Sequence, residues 1–340
     1  MVDILPAAPH GTTDQMSPTS AVALTNCNNP CVVPIPAGPV FSIVTPFTTD
    51  RDIDYAALER YIEALYEQGA RVFYAMAFNS RYPQMRLEEI VGINDRVCRI
   101  TKGLDADCIA IVGDPVACST NVSGQVAHEA ARSGADLFSS IFGERYYSDA
   151  QVVAHYNQLS QQSPIPLLIH QMPLVSGYGG HLTNWLPSTL ESVLTLKGVV
   201  AMKEDSKHRS VTSFVLRNFA SSHSIILSGG GKRQFLQHLD DGAQHWLNGV
   251  GVFAPRVSHV FSQALKSGDQ ALIRMIIEEV EAPFFDESVA KYGWHLAMRS
   301  AIEHAGYFPR FERLPLVPLN AQQHEDVGRV VRAIPLSQLG

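Results

Sequence analysis

Lys203 closes the apolar run Gly198-Val-Val-Ala-Met, and a lysine in that place has distinctive chemistry. An ammonium group at the end of a buried strand loses its hydration. Desolvation disfavours the charged form and lowers the pKa. The neutral amine can then attack a carbonyl carbon and form an imine, which on protonation draws electrons from the adjacent carbon and eases bond cleavage there. The competing reading is a rim lysine paired with a neighbouring carboxylate, Glu204 or Asp205. Other chemistry-bearing residues end or follow apolar runs in the same way. They are Phe78 and Asn79, Asp114, Gly143 and Glu144, His170, Ser228 and Asn248.

The segments that carry these residues alternate in type. Apolar runs at Phe41–Val44, Val72–Ala77, Cys108–Val112, Asp136–Ile141, Pro166–His170, Gly198–Lys203, Ser224–Ser228 and Trp246–Val250 read as strands. Between them lie amphipathic segments. The first begins at Asp54 as N-cap, places Leu58, Ile62 and Leu65 on one face and stops at Gly69. Helices are expected from about Leu87 to Thr101, Asn121 to Ser133, Asp149 to Gln161 and Pro187 to Leu196. Eight such strand–helix units predict an α/β fold, a closed (β/α)8 TIM barrel, and near-continuous apolar runs fit strands buried on both faces. A doubly wound open sheet is disfavoured, because no glycine-rich phosphate fingerprint follows the first strand. In such a barrel the active site forms at the C-terminal ends of the strands, where the residues named above fall. Residues 1–37, rich in Pro, Ser, Thr, Ala and Asn, read as a flexible N-terminal arm; 38–255 as the barrel; and 256–340 as a C-terminal helical extension, with patterns at Val257–Ser267, Gln270–Val280, Ser288–Ala305 and Ala321–Ala333.

The net charge is −7, from 26 Lys and Arg against 33 Asp and Glu, with no concentrated basic run, so neither nucleic acid nor an anionic membrane is the expected partner. No apolar stretch approaches the ~20 residues needed to span a bilayer, and the first residues lack a signal-peptide pattern, so a cytoplasmic location is expected. Cys98 and Cys108 read as core thiols; Cys27 and Cys31 have no further ligands at metal-binding spacing, and no metal site is expected. The stretch Ser228-Gly-Gly-Gly-Lys232 lacks the spacing of a phosphate loop, and a phosphorylated substrate stays a minor reading.

From Gly38 to about Pro255 the chain resembles the dihydrodipicolinate synthase / N-acetylneuraminate lyase family of class I aldolases. The resemblance is carried by Thr45-Pro46-Phe47 and Ile53-Asp54 after the first strand, Gly134-Ala135-Asp136 before the fourth, Ala201-Met202-Lys203-Glu204 on the sixth and Ser228-Gly229 after the seventh. It implies that Lys203 is the Schiff-base lysine, that no cofactor is needed, and that the protein is a homo-oligomer, a dimer or tetramer.

The departures carry information too. The family's Gly-Thr-Thr-Gly-Glu motif, which holds the carboxylate of a pyruvoyl group, reads here Ala77-Phe78-Asn79-Ser80-Arg81. Its Tyr-Asn-x-Pro, with a proton-relaying tyrosine, reads His170-Gln171-Met172-Pro173; the arginine two residues on becomes Val175; and Phe142-Gly143-Glu144, with Tyr146-Tyr147 close by, stands where Pro-Tyr-Tyr is expected. The amine is kept and the usual carboxylate cradle is lost. The expected function is a Schiff-base-forming lyase or aldolase that acts on a small carbonyl compound in other than the standard pyruvate mode. Lys203 is the nucleophile and His170, which titrates near neutrality, the acid/base, with Glu144 the alternative proton shuttle. Phe78, Asn79, Ser80, Glu144 and Ser228 are the expected substrate-binding residues, and Arg81 can add a charge-assisted contact if it points inward. The alternatives are a hydratase or deaminase working on a keto acid through the same lysine, and a catalytically silent barrel that binds a small ligand.

Overall fold

The computed structural model describes residues 35–145, 148–173 and 184–335. Cys27, Cys31, Tyr146, Tyr147, Val175 and nearly all of the expected N-terminal arm lie outside them.

Period-two alternation builds the barrel. Within each strand one set of side chains points inward, and Val40, Val72, Tyr74, Ile109, Ile111, Leu137, Leu168, Ala201 and Ile226 form a cluster of their own inside. The alternate set, including Phe41, Phe73, Ala110, Val112, Phe138, Ile169, Met202, Ile225 and Leu227, packs against the helices in a second and larger core. Burial on both faces is what a parallel sheet covered by crossover helices requires. The strands are β1 (Gly38–Ser42), β2 (Val72–Tyr74), β3 (Ile109–Gly113), β4 (Leu137–Ile141), β5 (Leu167–Gln171), β6 (Val199–Glu204), β7 (Ser224–Leu227) and β8 (His245–Asn248). They pair in sequence order, and β8 closes on β1 through Gly38↔His245 and Phe41↔Asn248.

The helices between them are α1 (Tyr55–Glu67), α2 (Leu87–Leu104), α3 (Thr120–Arg132), α4 (Asp149–Gln162), α5 (Pro187–Leu194), α6 (Arg209–Phe219) and α7 (Gly231–Gln237). Asp54 caps α1 as its type predicts, its carboxylate accepting from Ala57 N at 2.9 Å. Gly69 takes the positive φ (+99°) that ends the same helix.

One irregularity positions the site. Along β5 and β6, Leu167 pairs with Val199 but Leu168 pairs with Ala201, so Val200 is an extra residue. In an unbroken register His170 would lie opposite Met202 and Lys203 would turn to the helix side; Val200 prevents this. With it His170 lies opposite Lys203, and both point into the barrel.

The C-terminal helices follow: α8 (Pro255–Ser267), α9 (Gln270–Met275), α10 (Ala290–Tyr292), α11 (Trp294–His304) and α12 (Ala321–Arg332). Two expectations need correction here. The helix expected over Gln270–Val280 leaves α geometry at Ile276, and π-helical segments run over Ile276–Glu281 and Pro283–Val289. The single helix expected over Ser288–Ala305 is broken at Gly293, whose φ of +78° separates α10 from α11. Among the described residues, no helix is long and apolar enough to cross a membrane.

Candidate active site

Lys203 is 1% exposed, although its side chain carries an amine. Its Nζ lies 2.7 Å from His170 Nε2 and donates to Asp205 Oδ2 at 2.7 Å. Asp205 is the carboxylate that meets this amine. Glu204, one residue earlier and of opposite parity, turns to the helix side, where it accepts from Ser206 N at 2.9 Å and from the Thr212 hydroxyl at 2.7 Å. Glu204 thereby fastens the loop from β6 to α6, and that loop carries Asp205. His170 Nε2 is 3.5 Å from the same Asp205 oxygen, so the three groups form a closed triangle at the C-terminal ends of β5 and β6.

Burial sets the protonation states. It pulls the Lys203 pKa down to about 7, against the opposing attraction of Glu204. His170 is pushed well below the ordinary imidazole range, first by burial and then by the Lys203 and Lys207 ammonium groups. A neutral amine has two N–H bonds and a lone pair. His170 and Asp205 satisfy the N–H bonds, and the lone pair is the valence left to attack a carbonyl.

Lys207 was not among the residues singled out from sequence. Its Nζ donates to Asp205 Oδ1, on the other side of the carboxylate from Lys203, and to Ser228 O at 3.0 Å. Burial, then Lys203, lower its pKa to about 8. Asp205 was seen only as a structural partner for Lys203. The signal that could have found both is the run Lys203-Glu-Asp-Ser-Lys207, with four charged residues where a barrel strand meets its catalytic face. Tyr74 was missed as well: it is fully buried on the inner face of β2 and shares a hydrogen bond with Ser139 of β4.

The other expected residues fall into two groups. Ser228 is buried beside the triangle, its carbonyl held by Lys207. Asn79 and Ser80 are also buried, but their polar atoms are engaged within the protein. Asn79 donates to Ser42 Oγ at 2.8 Å and accepts from Trp294 Nε1 at 3.0 Å. Ser80 Oγ donates to Ile43 O at 2.6 Å and accepts from Met76 N at 2.9 Å. Phe78 is half-buried, and Glu144 is exposed, accepting from Arg145 N at 2.7 Å. Arg81 does not supply a free inward charge; it pairs with buried Glu312 at 3.3 Å.

The loop after β7 corrects the phosphate reading. The buried Glu281 carboxylate accepts from Lys232 N at 2.9 Å and Arg233 N at 3.3 Å and pairs with Lys232 Nζ at 3.1 Å. An internal carboxylate thus fills the anion position at the start of α7. Among the described residues no group of His, Cys, Asp and Glu is arranged to hold a metal ion.

A closed parallel barrel with a buried lysine near the C-terminal end of β6 defines a class, the lysine-bearing (β/α)8 barrels. Within that class, residues 36–334 match the dihydrodipicolinate synthetase family, and the chain belongs to it. Members of that family are lyases of the class I aldolase type. The chain is 21% identical to the 4-hydroxy-tetrahydrodipicolinate synthase of Pseudomonas aeruginosa, over 87% of this chain and 97% of that protein. It is 25% identical to the enzyme of the same name from a Synechococcus species, over 88% and 96% of the two chains. Its fold is similar to that of dihydrodipicolinate synthase from Oceanobacillus iheyensis (TM-score 0.74, 21% identity, 87% and 95% covered). It is also similar to that of the Escherichia coli K12 prophage protein YagE, solved in complex with pyruvate (TM-score 0.75, 16% identity, 89% and 98% covered). Identities this low place the chain among the divergent members.

Proposed function

We propose that this protein is a Schiff-base-forming lyase or aldolase that makes or breaks a carbon–carbon bond in a small carbonyl substrate. Lys203 is the nucleophile and electron sink, and His170 is the proton shuttle. The observation that carries this reading is the buried Lys203 amine held at 2.7 Å by His170 and at 2.7 Å by Asp205. Family membership adds support.

The amine nitrogen adds to the carbonyl carbon. Neutral His170 takes the proton released from nitrogen and passes it to the carbonyl oxygen, and a second proton drawn from solvent lets the resulting hydroxyl leave as water. The resulting protonated imine lies against the Asp205 carboxylate, which offsets its charge. His170 takes the proton of the hydroxyl on the far carbon, that fragment leaves as an aldehyde or ketone, and the electron pair of the broken carbon–carbon bond flows into the imine to give an enamine. Reprotonation at carbon and hydrolysis then free Lys203. No metal or organic cofactor enters this sequence, because the imine itself serves as electron sink.

The substrate is held in other than the family's standard pyruvate mode. That reading rests on residues 77–81, where Asn79, Ser80 and Arg81 spend their polar atoms on Ser42, Trp294, Ile43, Met76 and Glu312. A site that must bind a carboxylate loses heavily when its donors are committed elsewhere. The protein is also expected to work as a homo-oligomer, a dimer or tetramer.

Lys203→Met tests the catalytic reading against that of a silent binding barrel. Turnover and ligand binding are measured side by side over a panel of keto acids, ketones and aldehydes. Loss of all turnover, with the fold intact by circular dichroism, is the expected result. Equal behaviour of the two proteins across the panel would contradict it.

A further inference from the structure

Once Lys203 carries a protonated imine, the cluster of Lys203, Lys207 and Asp205 is one negative charge short. Lys203 and Lys207 bond opposite oxygens of a single carboxylate, that of Asp205, and Glu204 is turned away to Ser206 and Thr212. The lysine nearer the surface is built into its place. Lys207 takes a left-handed backbone conformation (φ +60°), which a lysine rarely adopts. Its ammonium occupies the space where a side chain at Gly229 would stand, so the bare glycine after β7 makes room for it. Two segments thus converge on this nitrogen: the β6–α6 loop through Asp205, and the loop after β7 through the Ser228 carbonyl and the bare Gly229. Its three donors are used only twice, on Asp205 and on Ser228 O, and 41% of its side chain is exposed. It is the cation of the site that an entering anion can meet.

We propose that Lys207 is the specificity-determining residue that anchors the carboxylate of a 2-keto acid, in place of the side-chain hydroxyls that residues 77–81 no longer offer. The assignment rests on the Schiff-base reading of Lys203 for its substrate class. In a 2-keto acid the carboxylate is bonded directly to the carbonyl carbon, so its oxygens lie three bonds from the imine nitrogen. With one hydrogen bond more from such an oxygen to Lys207, the nitrogen-to-nitrogen span is of the kind separating two ammonium groups that share one carboxylate. Bound there, the substrate supplies the missing negative charge. Asp205 faces the protonated imine while Lys207 faces the substrate. Lys207 binds the reacting molecule and takes no part in proton transfer.

Pyruvate and acetaldehyde, which differ by the carboxylate, are the matched probes. Each is incubated with the wild-type protein and with Lys207→Met and Lys207→Arg, reduced with borohydride, and the rate of adduct formation at Lys203 read by mass spectrometry. The expected result is a fall of tenfold or more in the pyruvate-to-acetaldehyde rate ratio for Lys207→Met, with partial recovery in Lys207→Arg. An unchanged ratio, both probes slowing together, would mean that Lys207 only positions Asp205 and would overturn the proposal. A second arm is independent of imine chemistry. In Lys203→Ala, pyruvate binding is measured by calorimetry with and without Lys207→Met. Binding that weakens tenfold or more upholds the anchor even if wild-type protein forms no adduct and the Schiff-base reading falls. Binding unaffected by Lys207→Met, or absent with Lys207 intact, overturns it.

Discussion

A lysine at 1% exposure is a poor choice for stability and a good one for nucleophilic attack, and the pKa of Lys203 near 7 follows from that one fact. Below pH 7 the ammonium form dominates and carries no lone pair. The rate of imine formation is therefore expected to rise with pH through a midpoint near 7 and level off above it, as read from borohydride trapping across buffers. A flat profile, or a midpoint near the ordinary 10.5 of lysine, would contradict the buried-amine account. The same shift acts on folding. Between about pH 7 and 10.5 the unfolded chain binds more protons at this lysine than the folded one. Its contribution to stability therefore becomes more favourable as pH rises through that window. His170→Phe removes the proton shuttle and is expected to lower turnover by about 10²–10⁴-fold while Lys203 still forms adducts. Lys203 stood out in the sequence as a charged residue ending an apolar run, but that run alone left an ion-paired lysine equally open, and the family resemblance decided between the two. Lys207 did not stand out, because a lysine in a loop looks like any surface lysine until the fold brings Ser228 and Gly229 beside it.

At the scale of the element, the apolar runs were legible because both faces of every barrel strand are buried and each run bears its full length of pattern. The extra residue in β6 was not. Val200 continues the apolar run without a break, and only the pairing with β5 shows that it shifts the register to set His170 against Lys203. The π-helical segments escaped for a similar reason. An i→i+5 turn keeps apolar residues on the inner face, and no residue type marks it. Glu281, which ends the first π segment, reaches back 49 positions to Lys232, a pairing that no local pattern encodes. Both partners are fully buried, so Glu281→Ala leaves an uncompensated ammonium and unpaired amides at the start of α7. The expected cost is about 3–5 kcal/mol, measured by urea denaturation. A loss below about 1 kcal/mol would mean that the pair is dispensable there.

Across the whole molecule, the C-terminal helices and the barrel share one buried ion network. Glu312 accepts from Arg299 Nε at 2.7 Å and pairs with Arg81, while Arg299 donates to Thr45 O at 2.6 Å. Trp294 of α11 reaches Asn79 in the loop after β2. The C-terminal extension therefore holds the loops after β1 and β2, the second of which carries the departure from the family motif at residues 77–81. Glu312→Ala strands two buried guanidinium groups. It is expected to cost about 3–5 kcal/mol and to lower the denaturation midpoint with the slope unchanged, in one transition. Two separated transitions would show that the helices fold apart from the barrel. Hydropathy alone revealed the extension but not this coupling, since Arg81 and Glu312 are 231 positions apart and each reads as an ordinary surface charge.

The central claim is that Lys203 forms an imine, and trapping it covalently is the direct test. The native protein is incubated with keto acids, ketones and aldehydes, reduced with borohydride, and analysed by intact mass and peptide mapping. A single adduct on the peptide containing Lys203, absent in Lys203→Met, is the predicted result. A folded protein that gains no mass with any carbonyl compound, or that is modified only at surface lysines, would contradict it.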